Sequence, residues 1–147
     1  MISLDSNILV YASDRNAGAR HKIAREIIDN ALPVNLVLTE QSVIEFLNVA
    51  GRKMKLQAAQ AALIAHGLTN TFPLIFPPIT IVDDVITLRL HHNLSVWDAR
   101  LLATCAAHGC GHLLSEDMQD GATYAGVAVL NPFNASNAPA VAHLLRP

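Results

Sequence analysis

Cysteine is almost absent from this 147-residue sequence, which has only Cys105 and Cys110. Two cysteines cannot build the disulfide framework of a small secreted domain, and a reduced, cytoplasmic setting is expected. Charge is also sparse. Asp, Glu, Lys and Arg make up 15% of the chain and the formal net charge is -2 at pH 7, so bulk electrostatics does not announce a nucleic-acid partner. No apolar run reaches the roughly eighteen residues of a membrane span. The opening Met1-Ile2-Ser3-Leu4-Asp5 lacks the basic region of a secretory signal. Phosphate-loop, dinucleotide and serine-hydrolase glycine motifs are all missing, so those chemistries lack support. With seven Gly and seven Pro, the chain is neither collagenous nor of low complexity.

What is present is apolar material: 52% of residues are hydrophobic and the mean hydropathy is +0.33. That suffices for one core, and the length suits one domain. Apolar spacing predicts helices over 7–12, 20–30, 39–50, 56–68, 82–91 and 95–108. Gly51, Gly67 and Gly109 are read as stops, and Val85, Ile86 and Leu90 are expected to face inward. Short β-rich runs are expected at 1–4, 33–38, 74–76, 112–114 and 127–130. Strands that alternate with helices and are apolar on both faces imply an α/β sandwich around a parallel sheet. The domain is expected over residues 1–133. The Ala-, Asn- and Pro-rich residues 134–147 read as a C-terminal extension.

Four acids sit in suggestive places. Asp5 ends the first strand, Glu45 lies about two turns into the helix after the second, Asp98 is in the first turn of the Ser95 helix, and Asp117 follows the fourth strand. Ligands of such sheets gather at the strands' carboxyl edge. The Ser95 helix runs back about one strand length before the next strand begins, so its start lies at that edge as well. Converging carboxylates suit a hard divalent cation such as Mg²⁺. Each acid also has a plain structural reading. Asp5 can be an N-cap, Ser95 and Asp98 have capping-box spacing, Glu45 can be a solvated helix residue, and Asp117 a turn former. Position alone does not separate the two readings.

Other clusters carry less. Cys105, His108, Cys110 and His112 have zinc-like composition but not zinc-site spacing, and are read as buried thiols and ordinary histidines. Arg15, Arg20, Lys22 and Arg25 are read as solvated charge. Arg52, Lys53 and Lys55, just past a helix end, are candidates for RNA phosphate contacts. Trp97 is expected in the core.

Five segments in order resemble a known family: Asp5-Ser6-Asn7-Ile8-Leu9-Val10-Tyr11-Ala12, Gln41 to Val49, Leu94 to Ala99, Leu114 to Gly121, and Val129-Leu130-Asn131-Pro132-Phe133. Together they resemble the PIN-domain ribonucleases of the bacterial VapC-like toxin type. The resemblance implies a three-layer α/β sandwich whose short, mainly parallel central sheet is covered by helices. It implies that Asp5, Glu45, Asp98 and Asp117 form an acidic metal site, with Ser6, Asn7 and Ser115 in support. It further implies Mg²⁺- or Mn²⁺-dependent RNA hydrolysis leaving 5′-phosphate and 3′-hydroxyl ends, a cognate antitoxin, and a homodimer. The Ala-rich 56–68 helix is the surface expected for such contacts. Two other readings are an RNA-processing nuclease without a toxin role and a catalytically silent binding module.

Overall fold

A computed structural model describes residues 1–32, 34–54 and 56–146. The Pro33 start of the second β-rich run and the RNA contact expected at Lys55 lie outside the described residues. Among these residues six strands form one sheet: β1 (Ile2–Leu4), β2 (Leu36–Thr39), β3 (Leu74–Ile75), β4 (His112–Leu114), β5 (Thr123–Tyr124) and β6 (Val127–Leu130). Their order is β3-β2-β1-β4-β6-β5. All neighbouring pairs are parallel except β5 with β6, a two-residue hairpin edge.

Among the described residues seven α-helices cover the sheet: α1 (Ser6–Ser13), α2 (Ala19–Asn30), α3 (Glu40–Arg52), α4 (Ala58–Thr71), α5 (Ile81–His92), α6 (Val96–Ala107) and α7 (Ala138–Leu144). Strand side chains alternate between two cores. Leu36, Leu38 and Leu114 pack with Ile8, Ile27, Phe46 and Ala61 of α1 to α4. Val37, Leu113, Val127 and Val129 pack with Leu88, Leu101 and Leu102 of α5 and α6. Burial on both faces is why β1 and β2 are mostly apolar, with Ser3 and Thr39 their only polar residues.

Several sequence expectations are corrected. Gly51 and Gly67 do not stop their helices: α3 runs to Arg52 and α4 to Thr71. A lone glycine costs only about 1 kcal/mol in a helix, and buried Ala50 and Ala65, just ahead of Gly51 and Gly67, anchor these turns in the core. Gly109 does act as a stop after α6, with φ +73°. On α5, Leu88 is buried whereas Ile86 and Leu90 stand in solvent. The tail contains α7, which seats Val141 and Leu145 in the first core. β5 went unread because two residues carry no periodicity.

Candidate active site

At the carboxyl edge two strands run straight into helices, and the joining residue is the N-cap. Asp5 follows β1 and caps α1, its Oδ1 accepting the Ser6 N–H at 2.6 Å. Thr39 ends β2 and caps α3, accepting the Ser42 N–H at 3.0 Å. With no loop between strand and helix, the first turns of α1 and α3 stand side by side at the edge.

Capping uses only one Asp5 oxygen. Oδ2 accepts from the Ser115 hydroxyl at 2.6 Å and from the Asn7 amide at 3.3 Å. Asp5 is only 4% exposed, and no salt bridge among the described residues reaches it. Burial is the main force pushing its pKa from 3.8 to about 6. Hydrogen bonds from Ser115 and Ser6 oppose the rise, and the charges of Asp117 and Glu45 add to it.

The same polar side chains hold Asp117 just beyond β4. Asn7 Nδ2 donates to Asp117 Oδ2 at 3.0 Å, and Ser115 Oγ accepts the Asp117 N–H at 3.1 Å. Asn7 and Ser115 therefore link Asp5 to Asp117. On α3, Glu45 accepts from the Ser6 hydroxyl at 2.9 Å and from Gln41 Nε2 at 2.8 Å. Asp98 lies in the first turn of α6. The Ser95 hydroxyl accepts its N–H at 3.0 Å and donates to its carboxylate at 2.7 Å. Ser95 caps as its spacing implied, but Asp98 takes the Ser95 hydroxyl, and its carboxylate also lines the cavity.

Glu45, Asp98 and Asp117 line one cavity of about 850 Å³, together with Asn48, Trp97 and Arg100. Asp5 connects to that wall through Asn7 and Ser115. The carboxylates do not close into a compact cage: among the described residues, no three His, Cys, Asp or Glu side chains are gathered so as to hold an ion. Each acid is held by a hydroxyl or amide partner, Asn7 being shared by Asp5 and Asp117, and like charges resist closer approach. The donor chemistry still fits Mg²⁺ or Mn²⁺. All donors are oxygen, and Mg²⁺ commonly uses one or two carboxylates and keeps its waters.

Trp97 is not in the core, with 63% of its surface exposed at the cavity rim. As a first-turn residue ahead of buried Ala99, it projects away from the packed face of α6. Arg52 and Lys53 are exposed at the far end of α3, roughly 10 Å along the helix from Glu45, and are not part of the cavity wall. Cys105 and Cys110 are buried free thiols. Facing each other, they push the Cys105 thiol above its usual range. His108 contacts the Phe76 carbonyl at 2.8 Å.

Two polar groups escaped sequence reading. Gln41 and Arg100 form a hydrogen-bonded pair in the cavity wall. Gln41 precedes Glu45 by four residues, so a shared helix face was readable, but its tie to α6 was not. Tyr11 donates to Glu116, which pairs with Arg20 at 3.0 Å. The Arg20 guanidinium lies 5.6 Å from the ring centres of both Tyr11 and Phe133. This brace holds the residue next to Asp117.

Comparison with known proteins places these features in a family. The PIN domain model matches residues 2–119. No curated protein matches the chain significantly in sequence. Among solved structures, the chain is similar to the toxin–antitoxin complex from Klebsiella pneumoniae, at 25% identity and TM-score 0.64, over 90% of this chain and 98% of that one. It is also similar to VapC20 of Mycobacterium tuberculosis, described as a sarcin–ricin-loop-cleaving toxin, at 16% identity and TM-score 0.65, over 80% and 90% of the two chains. FitAcB from Neisseria gonorrhoeae aligns at 15% identity and TM-score 0.66, over 91% and 99%. With the family model spanning residues 2–119, the chain belongs to the PIN domain family.

Proposed function

We propose that this chain is a PIN-domain endoribonuclease toxin, neutralised by a cognate antitoxin and dependent on Mg²⁺ or Mn²⁺. The observation that carries the reading is the acidic cavity at the carboxyl edge, where Glu45, Asp98 and Asp117 line the wall beside the Arg100-paired Glu40 and the buried Asp5 is linked to it through Asn7 and Ser115. Without a cation such a site would repel a phosphodiester. Asp5, Asp98 and Asp117 are the proposed ligands, and Glu45 completes the set. The bound ion supplies charge neutralisation at the phosphate and lowers the pKa of water.

The chain's own residues do the rest. Ser6, Asn7 and Ser115 orient carboxylate oxygens by donating to Glu45, to Asp117 and to Asp5. One carboxylate of this coupled set takes the proton of the attacking water. Trp97 offers an exposed indole at the rim for stacking on an RNA base, and Arg52 and Lys53 offer phosphate contacts farther along α3.

Residues 1–133 are the PIN domain in this proposal, and 134–147 an extension whose Val141 and Leu145 pack into its first core. The antitoxin and a second copy of the chain are the proposed protein partners. α4 turns Ala61 and Ala65 into the core and leaves Leu63 exposed, while Val82, Ile86 and Leu90 of α5 are also left in solvent. Such apolar surface suits a protein partner. Among the described residues no helix is long and apolar enough to cross a membrane, and the proposed location is the cytoplasm.

The test is cleavage of single-stranded RNA by the purified chain. Activity is expected to stop in EDTA, to return with Mg²⁺ or Mn²⁺, and to be lost in Asp5→Asn and Asp98→Asn. Undiminished cleavage in chelator would refute the metal mechanism. Growth arrest on expression, relieved by a co-expressed neighbouring antitoxin gene, tests the toxin role. Harmless expression of an RNA-cleaving chain would favour a processing nuclease.

A further inference from the structure

We infer that Gln41 is a positioning residue that sets the Glu45 carboxylate relative to the Asp98 end of α6, with Arg100 as its anchor. This inference rests on the metal-site reading above. Gln41 is 6% exposed, and both ends of its amide are engaged. Nε2 donates to Glu45 Oε1 at 2.8 Å and to the Trp97 carbonyl at 3.0 Å. Oε1 accepts from Arg100 Nη1 at 2.8 Å, and Arg100 Nη2 donates to Glu40 at 2.9 Å.

This pattern leaves the amide one orientation. Turned over, its oxygen would face the Glu45 carboxylate and the Trp97 carbonyl, and its NH₂ would face a guanidinium. Arg100 thus decides which end Glu45 meets. The bonds span two helices. Gln41 and Glu45 lie on one face of α3, and Trp97, Asp98 and Arg100 belong to α6. One buried side chain therefore ties a carboxylate of α3 to the backbone next to a carboxylate of α6. Partners that orient a metal-binding carboxylate are worth about 10–100-fold in metal affinity. A Gln that merely joined two helices would affect stability and leave metal affinity alone.

The experiment measures Mn²⁺ binding to the full chain without RNA, read from the free-Mn²⁺ electron paramagnetic resonance signal. Wild type, Gln41→Met, Glu45→Gln and the double variant are compared. Gln41→Met is expected to raise the Kd about tenfold. Most of that effect should vanish in the Glu45→Gln background, because the two act as one unit. The Mn²⁺ concentration for half-maximal RNA cleavage should rise in parallel. Arg100→Met, which frees the other end of the amide, provides a second test if Gln41→Met does not fold. It should weaken Mn²⁺ binding, although removing a cation beside a cation site would tighten it by Coulomb's law alone. Three results would each overturn the inference: wild-type Mn²⁺ affinity in folded Gln41→Met, full additivity with Glu45→Gln, or unchanged or tighter binding in Arg100→Met. A wild type that takes up no Mn²⁺ would overturn the parent metal reading, and this inference with it.

Discussion

Asp5→Asn should make the protein more stable at neutral pH and less stable in acid. Folding takes the Asp5 carboxyl from 3.8 to about 6, chiefly by burial. A rise of roughly two units means the ionised form costs about 3 kcal/mol in the folded state. Since the folded value lies above the unfolded one, protonated Asp5 favours folding fully below about pH 3.8. That contribution fades as pH rises to about 6 and is gone above it. An amide avoids the charge penalty at every pH and still accepts the Ser6 N–H. Its NH₂ cannot accept the Ser115 hydroxyl as Oδ2 does at 2.6 Å, which costs about 1 kcal/mol. The variant should therefore gain roughly 2 kcal/mol at pH 8 and lose roughly 1 kcal/mol below pH 4. Urea unfolding of both proteins in EDTA, from pH 3.5 to 8, gives the difference directly. Mg²⁺ at neutral pH should then stabilise wild type by binding linkage and the variant much less. A stability difference that stays constant across this range would refute the assigned burial penalty.

Further outcomes are expected. Asp98→Asn keeps an oxygen for the Ser95 hydroxyl, so the start of α6 should survive, but the thermal midpoint should respond far less to Mg²⁺ than in wild type. Equal metal responses would remove Asp98 from the site. Trp97→Ala should cost less than about 1 kcal/mol in urea unfolding, since the indole is mostly exposed, yet weaken RNA binding in a filter assay. A loss of several kcal/mol would return Trp97 to the core. Glu116→Gln should lower the titration of Tyr11, which Glu116 holds up at about 12, toward 10, followed as tyrosinate absorbance at 295 nm. An unmoved titration would break the proposed Tyr11–Glu116 brace.

Much of the scaffold was legible in the sequence because it is written locally. Apolar spacing in Ile23, Ala24, Ile27 and Ile28 marks α2 by itself, and runs such as Leu36-Val37-Leu38 read as strands buried on both faces. Asp5, Thr39 and Ser95 cap their helices through bonds to residues one to three positions away. A parallel sheet then has a carboxyl edge, and residues that follow its strands must lie there. The placement of Asp5 and Asp117 at that edge thus followed from sequence order. What needed the tertiary structure was every fact set by two distant segments. Asn7 reaching Asp117, Ser6 reaching Glu45, and Gln41 joining Glu45 to the Trp97 carbonyl each bridge 39 to 110 residues in at least one of their bonds. The pKa of Asp5 depends on how deeply the packed helices bury it, and Ile86, Leu90 and Trp97 stand exposed because none of the described elements covers them. Helical spacing says which side chains share a face, but only packing decides whether that face meets another element or water.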